Sequence, residues 1–459
     1  MGQFSAPFEI ESLGRDWIAG APGVTFRRRV EGCIDAIRAE PDTSTRGVLI
    51  AERDPVDFSA AFFAAVFLGT PVMLANPRWG QLEWEEVASS VNPARCYGAS
   101  QMTVLPRSDI EPLKSGDILI PTGGSSGGVK FAVHDWSSLR AAWRGFEAFI
   151  EPGAYNAHCV LPLYHVSGLM QLVRAFLSGG QIAFPDFKTL QSVGFPSGRV
   201  QGYCLSLVTT QLQRLLSQSQ LHSELEAARA IFVGGGPMSE ALAEQARVLR
   251  LPIILSYGMT ETAAMVAAMP TEEFLAGRVT AGRPLDHVTV DIVSPTGSRC
   301  AVGEPGRIRI AGDCLFKGYR GSSGGLQGDG RYLTDDEGFV DEQDRLHVIG
   351  RIDRLIVSGG EKIDPREVEV AIRETGLVEE VLAVGRSDPE WGQMLVAFYT
   401  TSTDSEVSKD LEGRVREQLA NYKRPKQMIR VPKLPLNEKG KLDHRLIDQI
   451  LGEVAESTD

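Results

Sequence analysis

No stretch of the 459 residues reaches the roughly 18 consecutive apolar residues of a membrane-crossing helix. The N-terminal MGQFSAPFEI also has no basic segment followed by an apolar run, so neither a membrane span nor an export signal is expected. The six cysteines, Cys33, Cys96, Cys159, Cys204, Cys300 and Cys314, include no Cys-x-x-Cys pair and no spacing suited to metal ligation. Reduced packing residues in a cytoplasmic protein are the expectation. Basic residues are in deficit as well: 47 Lys and Arg face 59 Asp and Glu, a formal charge of −12. Nucleic-acid binders usually concentrate Lys and Arg on one face, so this balance argues against such a partner. Internal repeats and low-complexity tracts are absent, and GSSGGLQGDG at 321–330 reads as a flexible loop.

What the chain does have is apolar surface and glycine. Hydrophobic residues make up 43% and charged residues 23%, the proportions of a globular protein. The length suits two or three compact units better than one core. The 48 glycines gather in short runs, Gly123-Gly124, Gly234 to Gly236 and Gly359-Gly360, where backbone turns sharply or approaches a ligand.

Gly47-Val-Leu-Ile-Ala51 reads as a buried strand, residues 56–68 as a helix closed by Gly69, and Pro71-Val-Met-Leu-Ala75 as another strand, which together make a βαβ unit. The pattern recurs with strands at 203–208, 231–233 and 253–256 and helices at 211–217 and 240–249, and it predicts parallel sheets covered by helices. After about residue 285, short alternating runs at 288–293, 306–310 and 346–349 predict a small β-rich layer. From about Arg354, βα patterning resumes at 365–374, 381–384, 395–400 and 411–420. The fold class expected is α/β: a large N-terminal domain of parallel βα layers plus a small β-rich layer, followed by a small mobile α+β C-terminal domain.

Ile118-Leu-Ile120 runs into Pro121-Thr-Gly-Gly-Ser-Ser-Gly-Gly-Val-Lys130, a strand and then a loop whose free N–H groups, hydroxyls and lysine suit phosphate oxygens. No Gly-Lys-Ser/Thr ends it, so it is not a Walker loop. Ser256-Tyr-Gly-Met-Thr-Glu-Thr262 places a hydroxyl and a carboxylate after a buried strand, where a Mg²⁺-bound nucleotide would be met. Tyr332-Leu-Thr-Asp-Asp336 offers carboxylates for ribose hydroxyls or, as Asp commonly does, for a turn. Gly350-Arg-Ile-Asp-Arg354 and Ile356-Val-Ser-Gly-Gly-Glu-Lys-Ile-Asp-Pro365 follow.

In this order and spacing the segments resemble the adenylate-forming superfamily of acyl-CoA synthetases, luciferases and peptide-synthetase adenylation domains. The resemblance covers nearly the whole chain and extends to Leu161-Pro-Leu-Tyr-His-Val-Ser-Gly168, Gly234-Gly-Gly-Pro237, Tyr422-Lys-Arg-Pro425 and Leu434-Pro-Leu-Asn-Glu-Lys-Gly-Lys441. It implies an N-terminal ATP- and acyl-binding domain over 1–352 and a C-terminal mobile domain over 353–459. Thr122, Ser125, Ser126 and Lys130 would handle the ATP phosphates, Gly235, Gly236 and Tyr257 the adenine, and Asp336 and Arg351 the ribose. Thr260 would touch the α-phosphate, Glu261 would hold Mg²⁺, and Lys441 would reach the reacting carboxylate. Asp353 would be the hinge, and Gly359 and Gly360 would line the coenzyme A tunnel. Val129 and Phe131 depart from the family's usual Pro and Gly around Lys130, and Gly123 replaces a common Ser.

His165 lies at the expected floor of the acyl pocket, with Ser167, Gln171 and Arg174 as further lining candidates, Arg174 being open to a solvated reading as well. The segment Tyr-His-Val-Ser-Gly-Leu-Met170 lacks the Asp with which amino-acid-activating relatives pair the substrate amine. Within the superfamily the chain is most similar to the o-succinylbenzoate–CoA ligase family of menaquinone and phylloquinone biosynthesis. That implies ATP, Mg²⁺ and coenzyme A with an aryl dicarboxylate as substrate. Another aryl- or fatty-acyl-CoA synthetase, or a non-catalytic nucleotide-binding homologue, are the alternatives.

Overall fold

The computed structural model describes residues 5–79, 81–98, 110–123, 129–150, 153–195, 202–236, 238–321, 325–352, 356–358, 361–388, 392–401, 407–419, 421–437, 440 and 442–456. Ser125, Ser126, Asp353, Gly359, Gly360 and Lys441 lie outside the described residues. The chain divides into two compact units, Met1–Ile349 and Gly350–Asp459.

In the larger unit, strands Arg95–Tyr97, Val48–Ile50, Val72–Leu74, Ile118–Gly123 and Val129–His134 form one sheet in that spatial order. The first four are parallel, and Val129–His134 returns antiparallel. A second sheet runs Ile182–Ala183, Ala157–His158, Cys204–Val208, Ala230–Gly234 and Ile253–Met259, all parallel, and closes with antiparallel Ala264–Met269 and Arg283–Pro284. The β-rich layer is a third sheet of Val288–Val293, Gly306–Gly312, Tyr332–Val340 and Leu346–Arg351. Parallel βα layers are therefore present as expected. The antiparallel returns were not anticipated from the sequence.

The period of two decides the layers. Val48 and Ile50 of the first sheet, with Ala230 and Phe232 of the second, enter one shared core, whereas Leu49 and the pair Ile231 and Val233 enter separate cores on the opposite faces. The shared core also holds residues of the helices Pro55–Leu68, Trp136–Phe149 and Val166–Ser178, so a helical layer is buried between two sheets.

The helix Pro55–Leu68 shows how the sequence builds this layer. The Asp54 carboxylate accepts from the Val56 and Asp57 amides at 2.9 Å each, Pro55 supplies the first turn, and Gly69 closes the helix at φ +65°. Phe58 through Val66 are all buried, as expected of a helix with no polar face. Phe63 meets the rings of Phe8 at 5.7 Å, Trp17 at 5.7 Å, Trp136 at 6.3 Å and Phe176 at 4.8 Å. This ring cluster fixes the helix Val166–Ser178 against its neighbours.

In the smaller unit, Glu361–Ile363, Ile356–Ser358, Gly392–Thr400 and Glu380–Asp388 form a sheet, with Gln427–Arg430 parallel to Gly392–Thr400. Val381, Ala383, Leu395 and Ala397 pack under the helices Pro365–Glu374 and Val407–Gln418. Leu382, Val384, Val396 and Phe398 pack under His444–Glu456 on the other face, which makes this unit α+β with two cores of its own. Among the described residues no helix is long and apolar enough to cross a membrane.

Truncating the ring at the centre of the helical layer should be costly. Phe63→Ala is expected to lower the larger unit's unfolding free energy by about 3–5 kcal/mol, read as an earlier first transition in urea. Val24→Ala, at a site 62% exposed, should stay within about 0.5 kcal/mol of the parent.

Candidate active site

Thr122 and Lys130 stand directly opposite each other across the antiparallel pair Ile118–Gly123 and Val129–His134. The loop joining these strands, 124–128, lies outside the described residues. Phe131 is buried beneath the sheet, so the residue that departs from the family pattern supplies core packing next to the lysine. The segment after Phe316 is laid against this strand: the Lys317 amide donates to the Val133 carbonyl at 2.7 Å, the Val133 amide to Gly318 at 2.9 Å, and the Arg320 amide to Phe131 at 2.9 Å. Tyr319 is thereby paired with Ala132, and the Lys130 ammonium lies 5.9 Å from the Tyr319 ring centre, a cation–π distance.

Ile253–Met259 is parallel to Ala230–Gly234, and both lead into site segments at their C-terminal ends, where open α/β sheets place ligands. Gly235 and Gly236 are exposed there, and Gly235 has φ +79°, a backbone state that a side chain would strain. A bulge between Tyr257 and Gly258 interrupts the pairing with Ala264–Met269. Thr260–Thr262 then forms a tight turn, after which Ala263 and Ala264 take φ of +50° and +87°. Left-handed alanines are costly and persist where surrounding contacts enforce them. Here the Thr262 hydroxyl accepts from the Met259 amide at 3.1 Å and donates to the Ala264 carbonyl at 2.7 Å.

Three further contacts hold this turn. His134 Nε2 lies 2.8 Å from the Thr260 carbonyl, and its Nδ1 lies 3.0 Å from the Ser138 hydroxyl. A carbonyl only accepts, so we assign the proton to Nε2. Burial pushes the pKa of His134 down to about 4, which keeps the ring neutral at ordinary pH. The Phe316 amide donates to the Glu261 carbonyl at 2.9 Å. The Tyr319 hydroxyl donates to Glu261 Oε1 at 2.6 Å and lies 3.2 Å from the Tyr332 hydroxyl. Burial first, and then the Glu261 charge, raise the Tyr319 pKa well above its usual value, so it stays a donor. Glu261 itself is only 7% exposed.

The Tyr257 hydroxyl donates to Asp336 Oδ2 at 2.6 Å. Asp336 lies within the strand Tyr332–Val340, so the turn reading of Tyr332 to Asp336 is corrected: Thr334 points inward, its hydroxyl donating to the Ile308 carbonyl at 2.9 Å. Contacts thus link Lys130 to Glu261 through Tyr319, hold the Thr260 carbonyl to His134, and pair Tyr257 with Asp336. Arg351 ends the strand Leu346–Arg351.

A second cluster surrounds the helix Val166–Ser178, which starts at His165, whose ring lies 4.6 Å from that of Tyr164. Ser167 is exposed, and the Gln171 amide donates to its carbonyl at 3.1 Å. Gln171 and Arg174 are buried, which settles the solvated reading of Arg174 against it. Its guanidinium lies 3.8 Å from the Phe146 ring centre, and among the described residues no carboxylate pairs with it. The Tyr155 hydroxyl faces it without completing a hydrogen bond, and Arg174 Nε, Gln171 Oε1 and both His287 nitrogens are buried without partners. Burial lowers the Arg174 pKa, and burial together with the Arg174 charge pushes His287 down to about 4. Sequence reasoning missed His134, Tyr319, Tyr155 and His287. Gly318-Tyr-Arg320 beside an aromatic residue was a faint signal for Tyr319, and nothing local marked the others.

Among the described residues no group of three or more His, Cys, Asp and Glu could hold a metal ion. A magnesium ion carried largely by nucleotide phosphates asks for few protein ligands, and the buried Glu261 carboxylate, held by Tyr319 through Oε1, fits that demand.

A chain with two such units, in which one tyrosine links a strand-borne lysine to a buried carboxylate, has the build of a nucleotide-dependent adenylating enzyme. The chain belongs to the AMP-binding enzyme family, whose model matches residues 99–320, while that of the AMP-binding enzyme C-terminal domain matches 367–441. It is 30% identical over 346 residues to 2-succinylbenzoate–CoA ligase of Enterococcus faecalis, covering 74% of this chain and 70% of that one. It is 28% identical over 468 residues to the ligase of the same name from Geobacillus sp. WCH70, covering 93% and 92%. The fold is shared with Bacillus subtilis o-succinylbenzoate CoA synthetase in complex with its acyl-adenylate intermediate, at TM-score 0.77, 24% identity and 92% of each chain. It is also shared with ATP-bound MatB from Rhodopseudomonas palustris, at TM-score 0.81, 20% identity and 95% of each chain.

A buried, unpaired cation costs folding stability unless a ligand supplies its partner. Arg174→Met should therefore raise the melting temperature of the ligand-free protein, by an amount equivalent to about 1–4 kcal/mol. The same variant should lose affinity for its acid substrate. Calorimetric melting and equilibrium binding would read the two effects separately.

Proposed function

We propose that the chain is an ATP-dependent, AMP-forming acid–thiol ligase of the cytoplasm. It would adenylate o-succinylbenzoate and pass the acyl group to coenzyme A in menaquinone or phylloquinone biosynthesis. The observation that carries the choice of acid is the buried guanidinium of Arg174, which stacks on Phe146 and has no carboxylate partner among the described residues. An aryl acid with a second carboxylate would supply both an anion for the guanidinium and a ring for the apolar walls. The names of the ligases from E. faecalis and Geobacillus support the same acid. The six unpaired cysteines fit a reducing compartment.

In the first half-reaction a carboxylate oxygen of the acid attacks the α-phosphorus of ATP, and the bond to pyrophosphate breaks. Like charges meet in this step, so the residues must offset negative charge as it develops. Lys130, with Thr122, Ser125 and Ser126, would hold the phosphates. Thr260 would donate to the α-phosphate, and Lys441 would meet the attacking carboxylate. Glu261 would hold the magnesium ion, which spreads phosphate charge when bound. Gly235, Gly236 and Tyr257 would receive the adenine, with Asp336 and Arg351 on the ribose. In the second half-reaction the coenzyme A sulfur attacks the acyl carbon, and AMP leaves with the bonding electron pair. The smaller unit would turn about Asp353 between the two, withdrawing Lys441 and presenting Gly359 and Gly360 to the pantetheine arm. The division of the chain at Ile349 and Gly350, close to Asp353, supports a hinge there.

With ATP and coenzyme A present, kcat/KM for o-succinylbenzoate should exceed that for benzoate, cinnamate or octanoate by a large factor in a pyrophosphate-release assay. Equal turnover of a simple monocarboxylic acid would remove the substrate assignment and leave the reaction class. Lys441→Ala should slow acyl-adenylate formation by about 10²–10³-fold, equivalent to about 2.7–4 kcal/mol, yet spare thioester formation from supplied acyl-adenylate. Asp353→Pro should do the reverse by fixing the hinge torsion. Equal slowing of both steps by Lys441→Ala in single-turnover assays would refute the two-state reading.

A further inference from the structure

Tyr319 occupies an unusual place between two opposite charges. Its hydroxyl donates to Glu261 Oε1 at 2.6 Å, and the face of its ring receives the Lys130 ammonium at 5.9 Å. Among the described residues Lys130 and Glu261 form no ion pair with each other. Direct pairing would cancel both charges and would have to be broken before either met a ligand.

The ring is well supported in this position. Backbone hydrogen bonds tie Lys317, Gly318 and Arg320 to the strand that carries Lys130, and Tyr319 itself bridges to Ala132. Phe316 packs edge-on to it at 4.9 Å, and Phe316 in turn packs against Tyr332 at 5.1 Å. The Tyr332 hydroxyl lies 3.2 Å from that of Tyr319, so Tyr332 completes a chain in which Tyr319 still donates to the carboxylate. The backbone of the carboxylate's own turn is anchored separately, by His134 at Thr260 and by the Phe316 amide at Glu261.

We propose that Tyr319 is a positioning residue that holds the Glu261 carboxylate through its hydroxyl and the Lys130 ammonium through its ring, keeping the metal-binding and phosphate-binding charges apart and aimed. A hydrogen bond to one oxygen leaves the second carboxylate oxygen for the cation and removes the freedom of rotation that cation binding would otherwise have to quench. The inference rests on the assignment of Glu261 to magnesium made above.

The two roles separate by substitution. Tyr319→Phe keeps the ring and removes the hydroxyl, whereas Tyr319→Leu removes both. The probes are Mn²⁺, followed by its electron paramagnetic resonance signal in the complex with α,β-methylene ATP, and the metal-free analogue, followed by equilibrium dialysis. Tyr319→Phe should weaken Mn²⁺ binding to the nucleotide complex by about tenfold or more, the range for losing a hydrogen bond to a charged group. It should leave metal-free nucleotide affinity within about twofold, because the ring still faces Lys130. Tyr319→Leu should weaken both. Unchanged or tighter Mn²⁺ binding in Tyr319→Phe would overturn the proposal, the latter by showing that the hydroxyl competes with the cation. Unchanged metal-free affinity in Tyr319→Leu would overturn its lysine half. A parallel loss of both affinities in Tyr319→Phe would reduce Tyr319 to a packing residue. Glu261→Gln serves as the control: if it binds Mn²⁺ as the parent does, the magnesium assignment itself fails, whatever Tyr319 does.

Discussion

Phe63 has no exposed surface, and the rings packed around it belong to four separate stretches of chain, carrying Phe8, Trp17, Trp136 and Phe176. Because interiors are close-packed, such a cluster sets the spacing of the helices that share it. Those helices lie between two sheets, so the sheets take their separation from the same packing. The site depends on that separation. His134 ends a strand of the first sheet, Thr260 follows a strand of the second, and they meet at 2.8 Å. A shift of one sheet by a few tenths of an ångström would lengthen this bond and loosen the turn that presents Glu261.

Among its described residues the larger unit keeps charges that a fold selected for stability alone would neutralise. Glu261 is 7% exposed and held by a neutral hydroxyl, and Arg174 is 5% exposed with an aromatic ring for company. Desolvating a charge without a counter-charge costs several kcal/mol, and the apolar cores of the larger unit supply the offsetting stability. The neutral histidines add to this picture. Burial holds His134 and His287 near pKa 4, so neither is a further cation at ordinary pH, and His134 acts instead as a directional hydrogen-bonding group. A family of enzymes that join two anions needs fixed cations and dipoles in place before the reactants arrive.

The smaller unit follows a different plan. Both faces of its sheet are covered by helices, and each face has its own apolar cluster. Glu369 is buried and caps an edge of that order, accepting from the Ala383 amide at 2.9 Å. A unit with complete cores of its own retains its internal structure when it moves as a body, which is what two half-reactions served by one domain would require.

Much of this was readable from the sequence, and the reason is locality. The helix Pro365–Glu374 and the strand Val288–Val293 fall where their patterns predict, since capping residues, glycine stops and apolar period act within a few residues. The order of the glycine-rich and carboxylate-bearing segments identified the family for the same reason. What could not be read involves contacts between distant residues. Tyr319 and Glu261 are 58 positions apart, and His134 and Thr260 are 126 apart. Nothing within either neighbourhood carries the other's position. Whether Asp336 sat in a turn or a strand was decided by its partner strand Gly306–Gly312. Whether Arg174 was solvated or buried was decided by Phe146, Tyr155 and His287 closing over it. The sequence by itself determined which chemical groups the protein carries and in what order, because covalent chemistry and local backbone preference are written residue by residue. Only the tertiary structure decided which of those groups lost their water and which neighbour replaced it, because desolvation and charge interaction depend on distance in space.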